Sequence, residues 1–109
     1  MVTETRFKKA ALQLPQVVEL PHFEKLSFRV KNKIFATLNT TTRVACLKFN
    51  ETDQSVFCLN PAFTPVPNKW GKQGWTFVDL KKISAGLLND ALHTAYTAVS
   101  SGARNPKRN

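Results

Sequence analysis

The stretch Lys69-Trp70-Gly71-Lys72-Gln73-Gly74-Trp75 holds both tryptophans of the chain, two lysines and two of its four glycines. Two kinds of chemistry suit that composition. Indole rings stack on unpaired bases or on apolar groups of a partner, and neighbouring lysines neutralise phosphates. The same residues also suit a β-hairpin whose glycines supply backbone angles that a bulky residue resists. Trp75 leads into Thr76-Phe77-Val78, a strand-like run, which predicts at least one packed face for its ring. Trp70, between Lys69 and Gly71, is the more exposed of the two on this reading.

Other cations recur at alternate positions of strand-like segments. Arg29, Lys33 and Lys48, together with Lys25 and the aromatic ring of Phe35, fall out of phase with the apolar residues around them. On adjacent strands such residues have Cβ atoms about 5 to 8 Å apart, a spacing that can follow a phosphate backbone. We therefore take Arg29, Lys33, Lys48, Lys69 and Lys72 as candidate phosphate contacts, and Phe35 and Trp70 as candidate stacking surfaces. The structural alternative is a solvated outer sheet face whose charges keep its edges from pairing.

The overall charge points the same way. Sixteen Lys and Arg against seven Asp and Glu give a formal charge of +9 in 109 residues, which favours polyanionic partners. Enzyme chemistry has no comparable signal. The chain has no GxSxG, phosphate loop, dinucleotide fingerprint or zinc-ligand spacing. His22 sits between Pro21 and Phe23, and His93 falls on the polar side of a C-terminal helix; both suit connector or solvent-facing roles. Cys46 and Cys58 stand apart in apolar surroundings, which predicts two buried free thiols in a reducing compartment. No apolar run approaches the roughly 20 residues of a membrane span, and the N-terminal stretch lacks a signal-peptide core. The expectation is a cytoplasmic, non-enzymatic protein with no cofactor, no metal and no membrane partner.

The elements that would position these residues follow from periodicity. Residues 3–14 form an amphipathic helix, capped by Thr3 or Thr5, with Phe7, Ala10, Ala11 and Leu14 as its apolar stripe. Residues 16–23 read as an extended connector held by Pro21. Strands over 24–30, 33–39 and 43–49 alternate apolar and polar residues, and their short gaps predict an antiparallel meander. The first turn raises a register problem. A plain two-residue loop at Lys31-Asn32 sets Phe28 opposite Phe35. A three-residue loop or a bulge instead sets Phe28 opposite Ala36 and keeps the apolar residues on one face. We favour the latter, with Ile34, Ala36 and Leu38 on the apolar face and Lys25, Arg29, Lys33, Phe35 and Lys48 on the other.

Asn50, with Asp53 three residues on, caps a short helix over 51–59. Residues 61–67 read as extended chain or an edge strand, and 74–79 as a final strand. A long helix over 81–100, or from Ser84 if that residue caps it, buries Leu87, Leu88, Ala91, Leu92, Ala95, Tyr96 and Val99. A basic, disordered tail over 101–109 follows the single domain of 1–100. This layout is an α+β fold, with the N- and C-terminal helices on one face of an antiparallel sheet.

The segments "ALQLPQVVELPHFEKLSFRVKNKIFATL", "LKFN" and "NPAFTPVPNKWGKQGWTFVDL", followed by an amphipathic helix, resemble the MmcQ/YjbR-like proteins over about residues 5–100. The resemblance implies a CyaY-like, or frataxin-like, α+β fold and a DNA-binding role. Family members often carry Gly-Gly where this chain has Lys31-Asn32, and Asn also supplies a positive φ. Frataxin's iron handling does not transfer, because oxygen-ligand sites need clustered carboxylates and only Glu51 and Asp53 are near one another in sequence. The sequence reading is therefore a monomeric protein that binds nucleic acid, DNA before RNA, with little sequence preference. The alternative is a protein-interaction or small-ligand module using an aromatic pocket of Phe63, Trp70, Trp75 and Phe77 near the last hairpin.

Overall fold

The computed structural model describes residues 2–101. Its elements are α1 (Glu4–Leu12), β1 (Val18–His22), β2 (Lys25–Val30), β3 (Lys33–Asn39), β4 (Val44–Lys48), α2 (Glu51–Phe57), β5 (Phe63–Pro65), α3 (Lys69–Lys72), β6 (Trp75–Asp79) and α4 (Ala85–Ser101). The strands form one antiparallel sheet in the order β1-β2-β3-β4-β6-β5. This is the expected α+β architecture, with α1 and α4 on one face. The tail expected over 101–109 lies, beyond Ser101, outside the described residues.

Local signals start the helices where the sequence indicates. Thr3 accepts from the Arg6 amide at 3.1 Å, Asn50 from Asp53 at 2.8 Å and Ser84 from Leu87 at 3.2 Å. Each satisfies an amide that the first turn leaves without a partner. Helix α4 then buries Leu88, Ala91, Leu92 and Ala95 against Phe28, Phe35, Leu38 and Leu47 in one core. Tyr96 links the layers: its ring meets Phe35 edge-on at 5.7 Å, and its hydroxyl donates to the Pro15 carbonyl at 2.7 Å.

The first hairpin resolves its register by a bulge. Lys31 and Asn32, at φ 53° and 67°, make the two-residue turn, as a turn with both central residues at positive φ requires. Val30 faces Lys33 and Arg29 faces Ile34, but Phe28 faces Ala36, so Phe35 is the extra residue. Phe35 and Ala36 are both fully buried. The expected faces of Ile34 and Phe35 are thereby exchanged: Ile34 pairs with Arg29 on the open face, and Phe35 enters the core.

Two further segments differ from expectation. Residues 18–22, read as a connector, pair with β2 as an edge strand; the outer position tolerates Pro21, which has no amide to donate. The KWGKQGW segment is no tight hairpin turn. Asn68 accepts from the Trp70 amide at 2.9 Å and opens the single helical turn α3, after which Gly74, at φ 106°, feeds β6. A Cβ on Gly74 would lie 1.8 Å from the Phe49 carbonyl oxygen, and one on Gly71 1.8 Å from that of Val66. Both glycines are close-approach residues.

Candidate nucleic-acid interface

The sheet brings the candidate cations to one end. Strand β2 carries Arg29 next to its last residue there, β3 begins there with Lys33, and β4 ends there with Lys48. Lys48 pairs with Trp75, the first residue of β6, and α3 with Lys69, Trp70 and Lys72 lies just before it. At about 4.8 Å per strand, the Arg29 and Lys48 backbones stand roughly 10 Å apart across β3. The juxtaposition depends on β6 inserting between β4 and β5, an order that no local pattern specifies.

The individual side chains differ. Arg29 is half-buried on the open face, and its Nε donates to Ser27 Oγ at 3.1 Å. Ser27 Oγ in turn donates to the Leu20 carbonyl at 2.9 Å, so the guanidinium is anchored along the sheet. Lys48 is also half-buried, and burial lowers its pKa. Lys33, Lys69 and Lys72 are exposed. Lys33 faces Val30, so it belongs to the rim and not to the open face on which the alternation had set it. Among the described residues, none of these five cations is in an ion pair with a carboxylate.

Of the two candidate stacking rings, only Trp70 is available, at 51 % exposure. Phe35 is fully buried, because the bulge turns it under α4; it is a core residue and no stacking surface. Trp75 is half-buried, as its place in a strand predicts. The proposed aromatic pocket does not form. Phe63 packs in the core against Phe49 and Phe57, Phe77 lies on the open face opposite Cys46, and Trp70 stands on α3. The cysteines are free, but each is half-buried, not fully buried as expected.

Sequence reasoning missed two residues here. Gln54 Nε2 lies within hydrogen-bond distance of the Gly71 carbonyl (2.8 Å), the Trp75 carbonyl (3.2 Å) and Thr76 Oγ1 (3.2 Å). It fastens α3 to α2 and β6, and its only sequence signal is a polar residue on a short helix with no obvious partner. Lys31 lies at the same end, where its Nζ meets the Ser100 carbonyl at 3.5 Å. A cation there is favourable at the C-terminal end of α4.

Chemically, this end offers positive charge and one accessible ring. The four-residue α3 is too short to act as a groove-reading helix, while α4 is committed to the core. Contacts to phosphates position a protein without reading bases. No three His, Cys, Asp or Glu side chains among the described residues are grouped to hold a metal, and no described helix is long and apolar enough to cross a membrane.

A family model described as YjbR matches residues 12–98. Among solved structures, the crystal structure of the Deinococcus radiodurans protein DR2400, with the family-model domain DUF419, superposes with a TM-score of 0.82. The two are 23 % identical, over 96 % of this chain and 83 % of that one, which is a likeness of fold. No curated protein matches the chain.

Proposed function

Because this chain belongs to the YjbR family, a non-enzymatic family with a general nucleic-acid-binding role, we propose that it is a monomeric DNA-binding protein of low sequence preference. Binding occurs through the α3 end of the sheet. Arg29, Lys33, Lys48, Lys69 and Lys72 neutralise phosphates, and Trp70 stacks on any base that is unpaired. RNA is bound by the same contacts but less well.

The observation that carries the reading is the convergence of five cations at one end of the sheet, none of them paired with a carboxylate among the described residues. Charges spent on internal salt bridges would be unavailable to a polyanion; these are available. The limited reach of α3 argues against base-edge readout, and so for backbone binding.

A salt titration of binding to duplex DNA tests it. Log affinity should fall linearly with log salt, at a slope near −0.9 per neutralised phosphate. Lys48→Glu combined with Lys72→Glu should weaken binding and flatten that slope, with the thermal transition kept as a control of folding. No binding at low salt, or an unchanged slope in the folded double variant, would overturn the assignment.

A further inference from the structure

Away from α3, the open face of the sheet holds a groove of about 570 Å³, within the roughly 300–1,000 Å³ of small-molecule sites. Its floor is apolar: Cys46 on β4 and Phe77 on β6 are directly paired, and Val44 lies two residues along β4 from Cys46. Pro61, from the connection between α2 and β5, borders it. Two cations, Lys25 and Lys82, also line it and have no carboxylate partner among the described residues, and Thr37, Asn39 and Thr64 add polar edges.

The charge pattern is directional. The charge of Lys25 favours the Cys46 thiolate, partly opposing the burial that pushes that thiol up to about 11. Lys25 is on β2, and β3 lies between it and Cys46; it borders the groove and is near enough for its charge to act on that thiol. Asp79 also lines the groove; its Oδ1 accepts from the Lys81 amide at 2.9 Å, and its charge lies at the β6 side, beside Lys82 and away from Lys25. The groove therefore presents an apolar patch of Phe77, Val44 and Cys46 with a net positive lining, Lys25 and Lys82 against Asp79.

We propose that this groove is a binding site for a small amphipathic anion, a flat aromatic body bearing one acidic group. The body lies on Phe77, Val44 and Cys46 against Pro61; the acidic group is held by Lys25, and Lys82, on the other side of the groove, adds to the positive potential. The site is separate from the phosphate contacts proposed for the α3 end, since neither lysine belongs to that set.

The probe for the test is 1-anilinonaphthalene-8-sulfonate, two aromatic units with one sulfonate, whose emission rises on leaving water. Titration should show one saturable site. Lys25→Gln with Lys82→Gln should weaken it about tenfold, as loss of charge-assisted contacts to an anion predicts. A second readout separates this groove from any other apolar surface. In a Cys58→Ser background, probe at about ten times its Kd should slow N-ethylmaleimide alkylation of Cys46 about tenfold, by occupancy.

Each comparison is made with and without probe in the same variant, because loss of Lys25 itself changes thiol reactivity. Non-saturable binding, an affinity indifferent to the two lysines, or unprotected Cys46 would each overturn the site. Duplex DNA affinity of the lysine double variant is measured in parallel. The groove readouts stand or fall without it, so failure of the DNA-binding reading leaves this inference to its own result.

Discussion

The two faces of the sheet carry similar apolar residues and treat them oppositely. Under α1 and α4, Phe28, Phe35, Ala36, Leu38, Ala45 and Leu47 are fully buried. On the open face, Val18, Leu20 and Phe77 are 51 %, 42 % and 36 % exposed, interleaved with Lys25, Arg29 and Lys48. The covered face contributes stability through area removed from water. The open face contributes little and is free to hold charge. Stability and exposed charge are thus divided between sides of the same strands, alternating residue by residue.

The largest test of that division uses one phenylalanine from each face. Phe35→Ala should destabilise the protein by about 3–5 kcal/mol, the transfer term plus the cavity left beneath Tyr96. Phe77→Ala should cost less, about 1–2 kcal/mol, because its ring is already partly in water. Urea denaturation of the two variants measures both. Equal losses would mean that the open face is covered in solution.

Next comes the link that joins the faces at α3. Gly71→Ala would force a methyl group into the Val66 carbonyl, at a cost above about 1 kcal/mol. The strain falls where Gln54 fastens α3 to β6, so displacement of Lys69, Trp70 and Lys72 should accompany it. Weaker DNA binding in a still-folded Gly71→Ala protein is the expected outcome. Full DNA affinity despite the destabilisation would remove α3 from the interface. Asn50→Ala is a smaller perturbation of the same region, costing about 1 kcal/mol through loss of the α2 cap, with DNA affinity expected unchanged in the folded fraction.

These cases also mark what the sequence makes legible. Thr3, Asn50 and Ser84 are readable as caps because the signal and the hydrogen bond span only three residues. The need for a three-residue loop or a bulge in the first hairpin is readable too, from the conflict between Phe28 and Phe35; the structure takes the bulge, with a two-residue turn. The side to which Phe35 turns is not, since strict alternation fails at a bulge. Strand β1 hides behind Pro21, which an edge position tolerates and an isolated sequence reading penalises. Helix α3 hides because Gly71 and Gly74 suggest a turn, and a four-residue helix is held by tertiary partners such as Gln54, not by its own propensity. The cations were individually visible. Their meeting at one end follows from β6 lying beside β4, a long-range choice with no local trace.

The smallest expected effect on stability is the most discriminating. Lys48 is half-buried, and desolvation lowers its pKa in the folded state below the 10.5 of the free side chain. Its charged form therefore opposes folding at neutral pH, and that opposition fades as pH rises through the lowered value towards 10.5. Lys48→Met keeps the apolar stem and removes the ammonium. At pH 7 the variant should unfold at the same urea concentration as the native protein or a higher one, and any advantage should shrink as pH approaches 10.5. Its DNA affinity should nevertheless fall, with the salt slope smaller by about 0.9, one phosphate contact. A residue that opposes the fold yet supports binding belongs to the open face's function. If Lys48→Met instead loses more than about 1 kcal/mol at pH 7, beyond the usual range of a surface change, the ammonium is structural, and the division between the two faces fails at the position where it is most exposed to test.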